Sequence, residues 1–318
     1  MNIKSIFTNP DEGRLRAGWR LLAHFCILAA SLVAFGVIAS PLFLWAERSG
    51  SSFLLLNVLV ALAGITTSVI IARHFADKHS FVSLGLKLDS KALRDLFFGF
   101  ALTAAIMGFI YLIEWVAGWL TFEGFAWDFQ SPGHVIREVL IMLMVYVFVG
   151  WQEELISRGY WLQNLEEGIN MDWAVFISSL FFSLAHYGNP GFAWAPLLGL
   201  LVSGYFLAYA YIRTRSLWLP IGLHIGWNFF EGTVFGFQVS GTESYRLILQ
   251  SVRGPTLWTG GAFGPEAGLV LIPGLALGIA AIWWYTRKIQ GETQWEPPRK
   301  SAILTFTPPC RAPYTTHI

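Results

Sequence analysis

Charge is scarce in this chain. Of 318 residues only 13% are Asp, Glu, Lys or Arg and 55% are hydrophobic, against roughly 25% charged in a soluble domain. That excludes an ordinary soluble globular protein. The 21 Lys and Arg nearly cancel the 20 Asp and Glu, leaving a net charge of +1, so no basic field attracts nucleic acid and no nucleic-acid partner is expected. Cysteine is almost absent. Cys26 in an apolar run and Cys310 in a polar stretch form neither a disulfide framework nor a zinc finger. Internal repeats are missing too, which gives no support to a solenoid or a transporter of duplicated halves. Also lacking are the His-Glu-x-x-His pair of zinc proteases and any Ser or Asp motif for intramembrane nucleophilic or aspartyl proteolysis.

What is abundant points to lipid. Fifteen Trp, 26 Phe and 31 Gly in an apolar background suit helices that pack through small residues and anchor at bilayer interfaces through aromatics. The expected fold class is all-α, a polytopic membrane bundle. A helix needs about 20 apolar residues to cross ~30 Å of hydrocarbon, which predicts eight spans: Leu21–Trp45, Phe53–Ala72, Leu96–Leu120, Val135–Trp151, Trp173–His186, Phe192–Ile212, Leu217–Phe235 and Ala267–Tyr285. The segment before Leu21 contains Asp11 and Glu12, unlike the basic start of a secretory signal, so the first span is expected to be retained. Seventeen of the 21 Lys and Arg fall on one side of this arrangement and four (Arg48, Arg137, Arg246, Arg253) on the other. By the positive-inside rule both termini are expected in the cytoplasm, with the protein a multi-pass component of the cell membrane. The organisation predicted is a cytoplasmic segment 1–20, helices over 21–134, a core over 135–235, an outer loop with the last helix over 236–285, and a disordered tail over 286–318.

Three polar clusters interrupt the apolar runs, and ionisable groups at membrane depth are functional candidates. The first is Glu153-Glu154, followed by Arg158. Adjacent carboxylates point about 100° apart on a helix, and the i, i+4 spacing lets Arg158 neutralise Glu154 and leave Glu153 less compensated. The second cluster, Phe182 and His186, closes the fifth span before Gly188-Asn189-Pro190-Gly191. Counted from the hairpin between spans four and five, Glu154 and His186 lie ~17 and ~20 Å along their helices at 1.5 Å per residue. They are therefore level. In the third cluster His224 and Asn228 share a face of span seven, while Gly222 and Gly226 admit a close neighbour.

Two Glu and two His can hydrolyse an amide in two ways. A carboxylate with a His activates water while a second His and the Asn amide stabilise the oxyanion. Alternatively Glu153, His186 and His224 hold a divalent metal such as zinc, with Glu154 as base. Sequence leaves both open, so no cofactor is assigned.

Taken in order, Glu153-Glu154-x-x-x-Arg158, Phe182-x-x-x-His186 and His224-x-x-x-Asn228 resemble the CPBP intramembrane proteases, the family of CAAX prenyl endopeptidases and bacteriocin-processing or bacteriocin-immunity proteins, over Val135–Phe235. The resemblance implies an endopeptidase with its site inside the bilayer, reached from the cytoplasmic side, acting on a peptide or protein at the membrane. It also implies roles: Glu153 and His186 for water activation, His224 and Asn228 for the oxyanion, Arg158 as partner of Glu154. The residue before the motif Arg is commonly Phe and here is Ser157, a change expected to affect packing. The competing class is a non-catalytic membrane protein, a transporter or an immunity or scaffold factor, with these residues lining a pathway or a contact.

Topology reporters fused at Lys4 and after Lys288 should both read cytoplasmic; opposite readings would remove one span and reverse the orientation of the polar clusters.

Overall fold

The computed structural model describes residues 4–9, 13–49 and 53–288. The tail expected to be disordered lies outside the described residues from 289 onward. A one-turn helix (Lys4–Phe7) and a minimal hairpin pairing Thr8 with Leu15 precede α1 (Ala17–Ser49), α2 (Leu54–Phe75) and α3 (Ser90–Val116). There follow β1 (Leu120–Phe125), α4 (Pro132–Glu154), α5 (Leu162–Gly168), α6 (Met171–Leu184), α7 (Trp194–Thr214), α8 (Trp218–Asn228), β2 (Ile248–Val252) and α9 (Leu271–Lys288). A π-helical stretch, Leu155–Trp161, joins α4 to α5, and a second, Phe229–Val234, continues α8. α1, α2, α3, α7 and the continuous helix Pro132–Gly168 are long and apolar enough to cross a membrane, whereas α6 is apolar but only 14 residues long. The chain is a helical membrane bundle.

Local chemistry sets the helix starts. Asp89 accepts from the Ala92 N–H at 2.9 Å, Asn170 from Trp173 at 3.0 Å, and Ser131, with Pro132 behind it, from His134 at 3.4 Å. Each side chain satisfies a donor that the first turn leaves unpaired. The Asp89 cap moves the third span from the expected Leu96–Leu120 to Ser90–Val116, and Leu120 instead opens a strand. β1 pairs antiparallel with β2, from Leu120 opposite Val252 to Phe125 opposite Ile248, with a bulge between Phe122 and Gly124. The outer connection is therefore structured where its sequence showed no period. A five-residue strand among glycines carries too short an alternation to read.

The bundle is apolar outside as well as within. α3 buries Asp95, Thr103 and Glu114 and exposes Phe97 and Leu112, and α1 exposes Val37 and Ile38. Such a contiguous apolar surface suits lipid. Packing relies on close backbone approach. A Cβ on Gly222 would lie 2.1 Å from the Leu96 carbonyl oxygen, and one on Gly226 equally near Thr103 Oγ1, so α8 rests directly on α3. Gly150 of α4 likewise leaves room for Ile225 of α8.

A buried polar knot holds the helix beyond the first π stretch. Asp77 accepts from Arg73 at 2.8 Å, from the Tyr160 hydroxyl at 2.9 Å and from Asn164 at 3.3 Å, and Arg20 reaches it at 3.6 Å while pairing with Glu167 at 2.7 Å. α1 and α2 are thus pinned to the continuation of the helix that carries Glu153 and Glu154.

Candidate active site

The best-connected group of the site is Glu154, which is fully buried. Its Oε1 accepts from Arg158 Nη1 at 2.8 Å, the i, i+4 pair expected, and lies 2.7 Å from His224 Nδ1, seventy residues away. Arg158 is sealed in as well. Its Nη2 donates to the Gly204 carbonyl of α7 at 3.2 Å, and its guanidinium stacks over the Phe182 ring at 4.4 Å. The first π stretch begins at the next residue after Glu154 and the second at the next after Asn228. Such i→i+5 turns are concentrated at functional positions, where they rotate side chains out of regular α register.

Glu153 faces the other way. Its side chain is 27% exposed, and its Oε2 lies 4.0 Å from His186 Nε2 and 3.7 Å from His224 Nε2. His186 sits in the turn beyond α6, because the helix stops at Leu184 and not at the expected His186. Its Nδ1 is 2.9 Å from the Phe182 carbonyl. A carbonyl only accepts, so that nitrogen carries the proton and Nε2 is the ring atom left to face the cavity. Glu153, His186, His224 and Asn228 all line one cavity of about 540 Å³. α1 and α2 supply an apolar wall that includes Leu28, Val58 and Ile65.

The polar end of that cavity was not visible in the sequence motifs. Glu266, 4% exposed, accepts from Trp227 Nε1 at 3.0 Å and, through its other oxygen, from the Ser240 N–H at 2.9 Å and hydroxyl at 2.6 Å. Burial pushes its carboxyl above the ordinary range, and the Ser240 donors and the nearby histidines pull it back. Ser240 adopts φ 47° and its carbonyl accepts from Asn189, three residues past His186, at 2.9 Å. Glu266 and Ser240 thereby tie the His186 turn to the helix bearing Asn228. The only hint in sequence was an acid beside an apolar run. The cavity is also lined by Ser240, Thr242 and Glu243, from the connection between α8 and α9. Ser157 lines the cavity too and is 4% exposed.

The metal alternative requires Glu153, His186 and His224 to converge as ligands at about 2.0–2.2 Å from one ion. Among the described residues no group of three or more His, Cys, Asp or Glu is arranged to hold a metal.

Residues 135–230 match the family described as type II CAAX prenyl endopeptidase Rce1-like. The chain is 31% identical over 143 residues to the Bacillus subtilis (strain 168) protein named "Putative membrane peptidase YdiL", an alignment spanning 42% of this chain and 55% of that protein. The chain thus covers little more than half of the relative's length. No solved structure matches it.

Replacing Arg158 with Ala should lower thermal stability in detergent by the equivalent of about 3–5 kcal/mol, because the buried Glu154 would lose its cationic partner. An unchanged melting temperature would show that Glu154 does not need it.

Proposed function

We infer, from the match of residues 135–230 to the Rce1-like type II CAAX prenyl endopeptidases, which supports the resemblance to the CPBP intramembrane proteases, and from the cavity geometry, that the protein is a membrane endopeptidase. Its substrate is a membrane-associated peptide or protein, in the lipidated or bacteriocin-like range of that family. The observation that carries this reading is the convergence of Glu153, His186, His224 and Asn228 on one cavity.

An oxygen about 2.8 Å from each of two acceptors that stand 4.0 Å apart subtends roughly a right angle, an acceptable hydrogen-bonding geometry for water. One water can therefore donate to Glu153 and to His186 Nε2 together. Glu153 takes its proton as the oxygen attacks the scissile carbonyl, and returns it to the departing amine as the C–N bond breaks. His186, fixed by Phe182, orients the water.

Oxyanion stabilisation falls to Asn228 and His224. Asn228 Nδ2 donates as an amide. His224 donates from Nε2 only when that nitrogen is protonated, because its Nδ1 proton is committed to Glu154. Glu154 fixes the ring through Nδ1, and Arg158 balances the charge of Glu154.

Glu153→Gln keeps the shape and removes the base, so peptide cleavage by the purified protein should fall ~10²–10⁴-fold with the fold intact. Wild-type turnover in a folded variant would refute the assignment of Glu153 as the base, whereas absence of cleavage by the unaltered protein would favour a protein that only binds.

His224→Ala and Asn228→Ala should each lower kcat by roughly 10²–10³. Groups that act as a unit lose their effects non-additively, so the double variant is expected to be little worse than the weaker single one. Fully additive losses would separate the two roles.

A further inference from the structure

We propose that the cavity takes a segment bringing hydrogen-bond donors or positive charge past the scissile bond, and disfavours a free C-terminal carboxylate there; this rests on the protease reading above. A cavity of about 540 Å³ is of ligand-binding size. Its wall of Leu28, Val58 and Ile65 accepts apolar side chains, and its polar donors His224 and Asn228 are those assigned above to the oxyanion, which leaves carboxylates as the charged groups of the remaining lining. Glu153, Glu243 and Glu266 line it, and among the described residues of the lining there is no Lys or Arg. The nearest buried cation, Arg158, is 1% exposed and already used by Glu154, Gly204 and Phe182. Arg246 pairs with Glu243 at 3.4 Å on the outer surface, which offsets one of the three acids.

An independent observation points the same way. Gln152 lines the cavity, is 7% exposed, and its Oε1 has no hydrogen-bond partner among the described residues. A buried acceptor left unpaired is destabilising, and a donor from a bound segment relieves it. A terminal carboxylate relieves nothing and adds like charge. The reach of the chain makes this consequential. Three extended residues span at most ~10 Å, so the carboxylate of a chain cut three residues from its end falls inside the cavity or at its rim, where the charged lining is acidic. A CAAX signal is C-terminal and places its carboxylate there. A bond inside a longer segment, or one followed by Lys or Arg, does not meet that repulsion.

Binding tests this separately from turnover. Dansyl-Phe-Leu-Val-Leu, made as the C-terminal amide and as the free acid, is titrated at pH 7.5 into the full-length protein in an uncharged detergent, with displacement by unlabelled amide as the measure of saturable binding. The amide is expected to bind about tenfold or more tightly than the acid, and a Lys-amide extension at least as tightly as the amide. In Glu266→Gln and in Glu243→Gln, the second altering an exposed side chain, the ratio should shrink. Equal affinity, preference for the acid, an unchanged ratio in both variants, or absence of saturable binding by either form would overturn the proposal. Loss of the protease reading is registered elsewhere, by absence of peptide cleavage by the unaltered protein.

Discussion

The site depends on one carboxylate that does no bond making. Glu154 Oε1 receives Arg158 at 2.8 Å and His224 at 2.7 Å, and through Arg158 it is tied to the Gly204 carbonyl and the Phe182 ring. Four elements, α4 with its π continuation, α6, α7 and α8, thus meet around one oxygen. In a medium without water the alternatives to this arrangement are unpaired ions, and their cost makes the hub self-enforcing. The geometry that follows is inherited by the residues facing the cavity: once Glu154 holds Nδ1 of His224, Nε2 of the same ring points toward Glu153.

Such a hub works only if the helices approach closely enough, and burial of apolar surface provides little drive between helices already surrounded by lipid. Close backbone packing supplies the difference. Gly222 and Gly226 set α8 on α3, Gly150 sets it against α4, and Gly204 admits Ser179, whose Cβ would lie 2.6 Å from an added Cβ. Gly204 is also the residue whose carbonyl receives Arg158, so the small residue that lets α7 approach α6 brings the acceptor within reach of the guanidinium.

Much of this was legible in sequence where the relevant spacing is local. The Glu154–Arg158 pair, the shared face of His224 and Asn228, and the level of Glu154 and His186 follow from 3.6 residues per turn and 1.5 Å per residue. The long apolar helices announced themselves by composition. What could not be read were contacts made by tertiary closure: Glu154 with His224 across seventy positions, Glu266 with Trp227 and Ser240, and the pairing of β1 with β2. None of these has a period. Glu266 lies in a Gly-rich connection whose local pattern carries no sign that it folds back against Trp227 of α8. The sequence also placed His186 within its helix, whereas the chain turns at Ala185, and the turn aims Nδ1 at the Phe182 carbonyl.

The two neighbouring glutamates show how one helix separates two kinds of electrostatic work. Their side chains start about 100° apart; Glu154 is sealed by a cation and an imidazole, while Glu153 retains 27% exposure and meets only two imidazole edges at 3.7 and 4.0 Å. Glu154 Oε1 carries both contacts, so that carboxylate is committed to holding Arg158 and His224 in place. Glu153 has no such obligation, and its side chain lines the cavity. The π stretch begins just after them, at Leu155, and Arg158 within it keeps the i, i+4 contact with Glu154 that a regular helix also allows. The pairing that looks structural thus leaves the adjacent carboxylate uncommitted at the cavity wall.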